Sequence, residues 1–145
     1  MTPFETDIQV GFEHTDVAGV VFYPRYFEML SKVVERWFQE RLDITYRQFH
    51  QVERRGIPLV EVHCRFMRPS FLSDVLNFRL TVAKLGRSSA TLHIEAFCQG
   101  EQRVEADMVV VHTQVQQDGM RSTAFPAQMA ARMREFVAGD LAGLK

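Results

Sequence analysis

His14-Thr15-Asp16-Val17-Ala18-Gly19-Val20-Val21-Phe22-Tyr23-Pro24-Arg25-Tyr26 joins two different hydropathy periods. Before it, Phe4, Thr6, Ile8, Val10 and Phe12 alternate with Asp7, Gln9 and Gly11, a period of two that predicts a strand from Phe4 to Phe12. After it, Tyr26, Leu30, Val33, Val34, Trp37, Phe38 and Arg41 follow the i, i+3, i+4, i+7 spacing of a helix. Pro24 suits the first turn, where its missing N–H costs nothing. The spacing predicts a helix to about Arg41, roughly 27 Å long at 1.5 Å per residue. Its apolar face is too broad for a lone surface helix, so another layer has to wrap it.

The rest of the chain supplies that layer. Asp43 caps a short helix over 44–49, and Arg54-Arg55-Gly56 reads as a turn. Four strand-like segments follow: Ile57 to Phe66, Asp74 to Leu85, Ala90 to Cys98 and Arg103 to Val115. Pro69-Ser70, Gly86-Arg87-Ser88-Ser89 and Gln99-Gly100-Glu101 separate them, and these short connections predict an antiparallel meander. In the last strand both faces are apolar near the middle, which predicts cover on both sides. Asp118-Gly119 closes it, a helix pattern runs from Pro126 to Val137, and the tail after Gly139 is expected to fray. One long apolar helix against one curved antiparallel sheet is an α+β solution, expected as one domain over residues 1–145.

Composition narrows the functions. The 145 residues are 46% hydrophobic, enough for a substantial core. Seventeen basic against 18 acidic residues leave a net charge of -1, so no global field draws the chain to nucleic acid. The start of the chain lacks a signal-peptide pattern, and no apolar run approaches the ~18 residues of a membrane span. The expectation is a cytoplasmic protein without membrane insertion. Cys64 and Cys98 lack a CxxC partner and read as two reduced, buried thiols rather than a disulfide or a zinc site. No metal and no separate cofactor are expected.

Chemistry concentrates at the join. A carbonyl placed near the backbone of residues 21–24 would meet unpaired N–H groups and the positive end of the helix dipole. Asp16 beside such donors could attack that carbonyl or activate a water, with the helix holding the oxyanion. An aspartate at such a join also serves as an Asx-turn or capping residue. His14 is either an acid/base partner of Asp16 or an ordinary hydrogen-bonded histidine. Gly19 either permits close backbone approach or takes a positive φ. Glu28, in the first turn of the helix, complements the dipole. Lys84, Arg87, Ser88 and Ser89 gather two cations and two hydroxyls at one turn, a combination suited to phosphate groups.

The segment Asp16-Val17-Ala18-Gly19-Val20-Val21-Phe22-Tyr23-Pro24-Arg25-Tyr26, followed by the long helix, resembles the hot-dog-fold acyl-CoA thioesterases, and among them the 4-hydroxybenzoyl-CoA thioesterase family. Gly56-Ile57-Pro58-Leu59-Val60, Phe66, Ser73-Asp74-Val75-Leu76 and Leu85-Gly86-Arg87-Ser88-Ser89 extend the likeness, which covers residues from about Phe4 to Val115. The resemblance implies a sheet wrapped around the central helix. It implies homodimers with active sites at the subunit interface, often paired into homotetramers. It makes Asp16 the catalytic nucleophile or general base and the Tyr23 backbone N–H the oxyanion donor. Gly19 and Val20, with Arg87, Ser88, Ser89 and Lys84, fall where the family meets its acyl-CoA substrate, so coenzyme A is part of the substrate. The chain departs from the pattern at His14, where many members carry an acid; a cation there would favour ionised Asp16 and make His14 a modulator. Tyr23-Pro24 resembles the aromatic-acyl branch.

The expected reaction is hydrolysis of an aromatic or a short- or medium-chain acyl-CoA to free acid and CoA. A hot-dog hydratase or dehydratase using His14 and Glu28 is an alternative, although the family's spacing for that chemistry is missing. A non-catalytic acyl-CoA-binding module is a third, against which the intact Asp16 argues.

Overall fold

The computed structural model describes residues 2–138; the tail after Gly139 lies outside them. The first strand, β1, spans Phe4–Gln9, and the long helix, α1, spans Tyr23–Arg41. Five further strands follow in chain order: β2 Arg55–Gly56, β3 Leu59–Phe66, β4 Val75–Leu85, β5 Ser89–Cys98 and β6 Glu101–Val111. Then follow β7 Thr113–Gln116, β8 Gly119–Ser122 and a short helix, α2, Ala127–Arg134.

Among the described residues, β1-β4-β5-β6-β3 form one antiparallel sheet in that order. Its inner face is the run of alternate residues expected from the sequence: Leu76, Phe78, Leu80 and Val82 on β4, Leu92, Ile94 and Ala96 on β5, Val104, Ala106 and Met108 on β6. Against it α1 buries Tyr26, Met29, Leu30, Val33, Val34, Trp37 and Phe38. The burial of this helix is the energetic centre of the fold, since a fully buried large apolar side chain contributes about 1.5–3 kcal/mol. At its far end Trp37 stacks edge-on against Phe136, 5.6 Å between ring centroids, so the residue just past α2, with Met129 and Met133 of α2 itself, closes the end of the core. This is the α+β hot-dog arrangement that the resemblance implies.

Several local expectations are corrected. The four strands are not a simple meander: β4, β5 and β6 are, but β3 pairs with β6, Phe66 opposite Val104 and Leu59 opposite Val110. Residues 67–74 carry the chain past the sheet instead of turning into a hairpin. β1 stops at Gln9, and Phe12, in phase with its inner face, is 82% exposed because Phe12–His14 winds into a single 3-10 turn. Arg54-Arg55-Gly56 ends in strand β2, paired with β7 in a small second sheet with β8. The last long strand breaks at His112 into β6 and β7. The short helix lies later than expected, at Arg47–Val52, and its turns are wide: the Glu53 N–H reaches back five residues to the Gln48 carbonyl at 2.9 Å. α2 ends three residues short of Val137. Cys98 is buried, but Cys64 on the edge strand is only half-buried.

Candidate active site

Between β1 and α1 the chain makes a narrow antiparallel turn. The Asp16 N–H donates to the Val20 carbonyl at 3.0 Å, and the Phe22 N–H donates to that of His14 at 2.9 Å. Within it the Ala18 N–H donates to Asp16 Oδ1 at 2.8 Å and the Gly19 N–H to the Asp16 carbonyl at 3.0 Å. Gly19 has φ +80°, and nothing lies within 4 Å of where a β-carbon would point. The glycine therefore serves the left-handed backbone. The two readings of Asp16 turn out to be compatible. One carboxylate oxygen closes an Asx-turn, and the exposed side chain leaves Oδ2 without a hydrogen bond among the described residues.

Six residues on, Phe22 leaves the turn in extended conformation, φ -71° and ψ 126°, and α1 begins at Tyr23. The Arg25 N–H folds back onto the Phe22 carbonyl at 2.8 Å, and Pro24 has no N–H to offer. The Tyr23 N–H has no acceptor among the described residues, which leaves it as the outward donor of the helix start. The Tyr23 ring packs at the surface against Phe22 and Phe66, 5.6 and 6.4 Å between centroids. A shallow cavity of about 270 Å³ opens here, lined by Val21, Tyr23, Tyr26, Phe66, Arg68 and Pro69.

His14 does not meet Asp16 by hydrogen bond or ion pair. Its Nδ1 accepts from the Gly11 N–H at 2.9 Å, which leaves the proton on Nε2, 3.8 Å from a carboxylate oxygen of Glu13. Glu28 is exposed and paired with Arg25 at 2.9 Å. Among the described residues His14 and Glu28 therefore do not meet.

Beneath the turn lies a group of residues that sequence patterns did not single out for chemistry. Arg103, on β6 and 9% exposed, donates through one Nη to Asp74 Oδ2 at 2.8 Å, to the Pro69 carbonyl at 3.1 Å and to Ser70 Oγ at 3.4 Å. The Phe71 N–H donates to the same Asp74 oxygen at 2.9 Å. Phe71 and Arg103 together hold the Asp74 carboxyl below the usual carboxylate range. Ser70, fully buried, gives its carbonyl to the Val21 N–H at 2.9 Å, and Leu72 N–H donates to the Gly19 carbonyl at 3.2 Å. Burial raises the Tyr26 phenol, opposed by a hydrogen bond with Ser70. The cluster thus clamps residues 69–74 against the Asp16 turn. No sequence signal marks it, because its partners on residues 69–74 are about thirty positions from Arg103.

The cationic turn stands elsewhere. Lys84 and Arg87 are exposed, with Ser88 and Ser89 held by backbone bonds from His112 and Gly86 at 2.7 and 2.8 Å. Together with Arg134 from α2, Lys84 and Arg87 line a cavity of about 510 Å³. Asp16 packs by the start of β4 and this turn follows its end, so the length of β4 puts them on the order of 30 Å apart in one chain. A single chain brings together Asp16, Gly19, Val20 and Tyr23, and leaves Lys84, Arg87, Ser88 and Ser89 at the opposite end.

On the outer face of the sheet His93, Glu95 and Glu105 have ligand atoms within 4.8 Å of one another. Each is already engaged: His93 Nδ1 with Asp107 at 2.8 Å, Glu95 with Gln102 at 2.9 Å, Glu105 with Arg65 at 3.2 Å. Among the described residues no helix is long and apolar enough to cross a membrane.

A family model described as the thioesterase-like superfamily matches residues 10–133. Among solved structures, a gentisyl-coenzyme A thioesterase superposes with a TM-score of 0.80 at 22% identity, covering 90% of this chain and 99% of its own. A 1,4-dihydroxy-2-naphthoyl-CoA thioesterase from Synechocystis does so at 0.82 and 19%, covering 92% and 96%. A 4-hydroxybenzoyl CoA thioesterase from a Pseudomonas strain does so at 0.83 and 20%, covering 90% and 99%. At these identities the likeness is one of fold. No curated protein matches the sequence.

Proposed function

The chain belongs to the thioesterase-like superfamily, and from that premise we propose that it hydrolyses an acyl-CoA thioester to a free acid and coenzyme A. The observation that carries this reading is a carboxylate with a free oxygen at Asp16 in the turn and, at the helix start that follows it, a Tyr23 N–H without an acceptor among the described residues. The thioester carbonyl oxygen sits at the Tyr23 N–H, where the helix start stabilises developing negative charge. Asp16 either attacks the carbonyl carbon, giving an anhydride that water opens, or takes a proton from the attacking water. Both routes expel CoA as the thiolate and end in the same products. Gly19 and Val20 support the reacting end through the shape of the turn. His14 shapes the 3-10 turn before Asp16 and acts on it only through that backbone.

The working unit is a homodimer, alone or paired into a tetramer. Edge strand β3 leaves Leu59, Val62 and Phe66, opposite Val110, Met108 and Val104 of β6, and Val60 at its register shift exposed, a poor ending for a monomer's sheet and a good surface for a second copy. Arg87, Ser88, Ser89 and Lys84 of one subunit then bind the CoA phosphates for Asp16 of the other.

Asp16→Asn tests the assignment. It keeps the Ala18 N–H bond and therefore the turn. Thiol release from an acyl-CoA panel should fall to background while the unfolding temperature holds; full activity in that variant would sink the role of Asp16.

A further inference from the structure

A second cavity, of about 450 Å³, lies between α1 and the β2–β3 segment, lined on the helix side by Phe27 and Val34 and on the sheet side by Ile57, Leu59, Met108 and Val110. We propose that it holds the acyl chain and that it takes an unbranched, medium-chain aliphatic group; this rests on the thioesterase reading above.

Position is the first argument. Phe27 is four residues past Tyr23 on α1 and Val34 eleven, so the cavity runs from about 6 to about 16 Å beyond the carbonyl site along the helix. The Phe66 ring joins the two places: it lines the shallow cavity at Tyr23 and meets Phe27 edge-on at 6.5 Å. A single aromatic acyl ring bonded directly to the carbonyl would end near Phe27 and leave the far part empty.

Lining is the second argument. No carboxylate, lysine or arginine contributes to it, so a charged acyl group would be buried without a partner. The polar members are Ser31, Tyr46 and His50, and His50 turns Nδ1 away to the Arg55 carbonyl at 2.8 Å. The cavity wall is irregular as well. Pairing between β3 and β6 slips in register between Leu59 and Glu61, an irregularity that bends a strand locally and falls where the strand borders the cavity.

The test is a straight-chain series from acetyl- to dodecanoyl-CoA plus benzoyl-CoA, on the wild type and on Ser31→Phe, an exposed helix position whose new ring points into the cavity. In the wild type kcat/KM should rise about fourfold per methylene from butyryl to decanoyl, the equivalent of ~0.8 kcal/mol for each buried CH₂. In Ser31→Phe the decanoyl-to-butyryl ratio should drop by about tenfold or more, with circular dichroism confirming the fold. A flat series, a rise unchanged by Ser31→Phe, or benzoyl-CoA exceeding every aliphatic ester overturns the proposal. If no ester is hydrolysed, the thioesterase reading fails, and calorimetric titration of decanoyl-CoA decides the cavity on its own. Binding weakened about tenfold by Ser31→Phe supports it, and equal binding overturns it.

Discussion

Arg103 on β6 reaches Asp74, just ahead of β4, at 2.8 Å, and the bond passes beneath the turn that carries Asp16. The pair joins two segments 29 residues apart and lets residues 69–74 support the backbone at Gly19 and Val21. Arg103→Met leaves Asp74, Ser70 and the Pro69 carbonyl short of a donor and should destabilise the fold by about 2 kcal/mol, measured by urea unfolding. Asp74→Asn keeps an acceptor and should cost less. Because the folded-state Asp74 is depressed, its contribution is full above the ordinary carboxylate range and is lost as pH falls through it to the folded value. Asp74→Asn should therefore unfold with a shallower loss of stability in acid than the wild type.

Tyr23→Pro tests the proposed oxyanion donor. Phe22 is already extended, as a residue before proline requires, and the first helical turn accepts proline. The substitution deletes the N–H and keeps the helix; Tyr23→Ala deletes only the ring. Thioester hydrolysis should fall about a hundredfold or more in Tyr23→Pro relative to Tyr23→Ala. Equal rates in the two variants would remove Tyr23 from the mechanism.

His112 should make the protein acid-sensitive. It is fully buried between Phe49 and Phe125, its Nδ1 at 3.1 Å from the Thr123 carbonyl and its Nε2 at 3.3 Å from Arg55. Burial first, and Arg55 with it, lower its pKa. The unfolded state then binds the proton more readily, so the stability of neutral His112 is complete above about pH 6.5 and drains away as pH falls through that value towards the folded one. The unfolding temperature of His112→Gln should fall less steeply between neutral and mildly acid pH than that of the wild type.

Subunit mixing tests whether one site is built from two chains. Asp16→Asn and Arg87→Glu homodimers should each be weak. Unfolded and refolded together at equal amounts, half of the dimers are hybrids with one intact site, so about a quarter of wild-type activity should return. No recovery, with hybrids detected by mass, would place both residues in one subunit's site or neither.

What could be read from the sequence follows from what is local. The helix was legible because Pro24, the 3.6-residue stripe and Arg41 all lie within one segment. The inner faces of β4 and β5 were legible because alternation names the buried residues. Alternation does not name a neighbour, which is why β3 was placed beside β4 instead of β6. Strands of two and four residues, β2 and β8, carry too few positions to show a period. Phe12 kept the phase of β1 but not its fate, since the Gly11–His14 hydrogen bond turns the chain away. Asp16 and Tyr23 could be proposed from the sequence because the chemistry they would carry sits in a few consecutive residues. The Arg103 clamp could not, because its partners come from positions about thirty residues away, and the distance from Asp16 to Arg87 depends on how strands are laid side by side.

The pairing of β3 with β6 also sets an order of assembly. The β5–β6 turn joins Cys98 to Glu101, whereas Phe66 has to find Val104 across 38 positions. Closing the longer loop costs about 2 kcal/mol more chain entropy. The β4–β6 hairpins should therefore form first, and edge strand β3 should dock late. Until it does, the growing sheet ends at β6, exposing an apolar edge to any neighbouring chain, so refolding yield should be most sensitive to protein concentration in that interval.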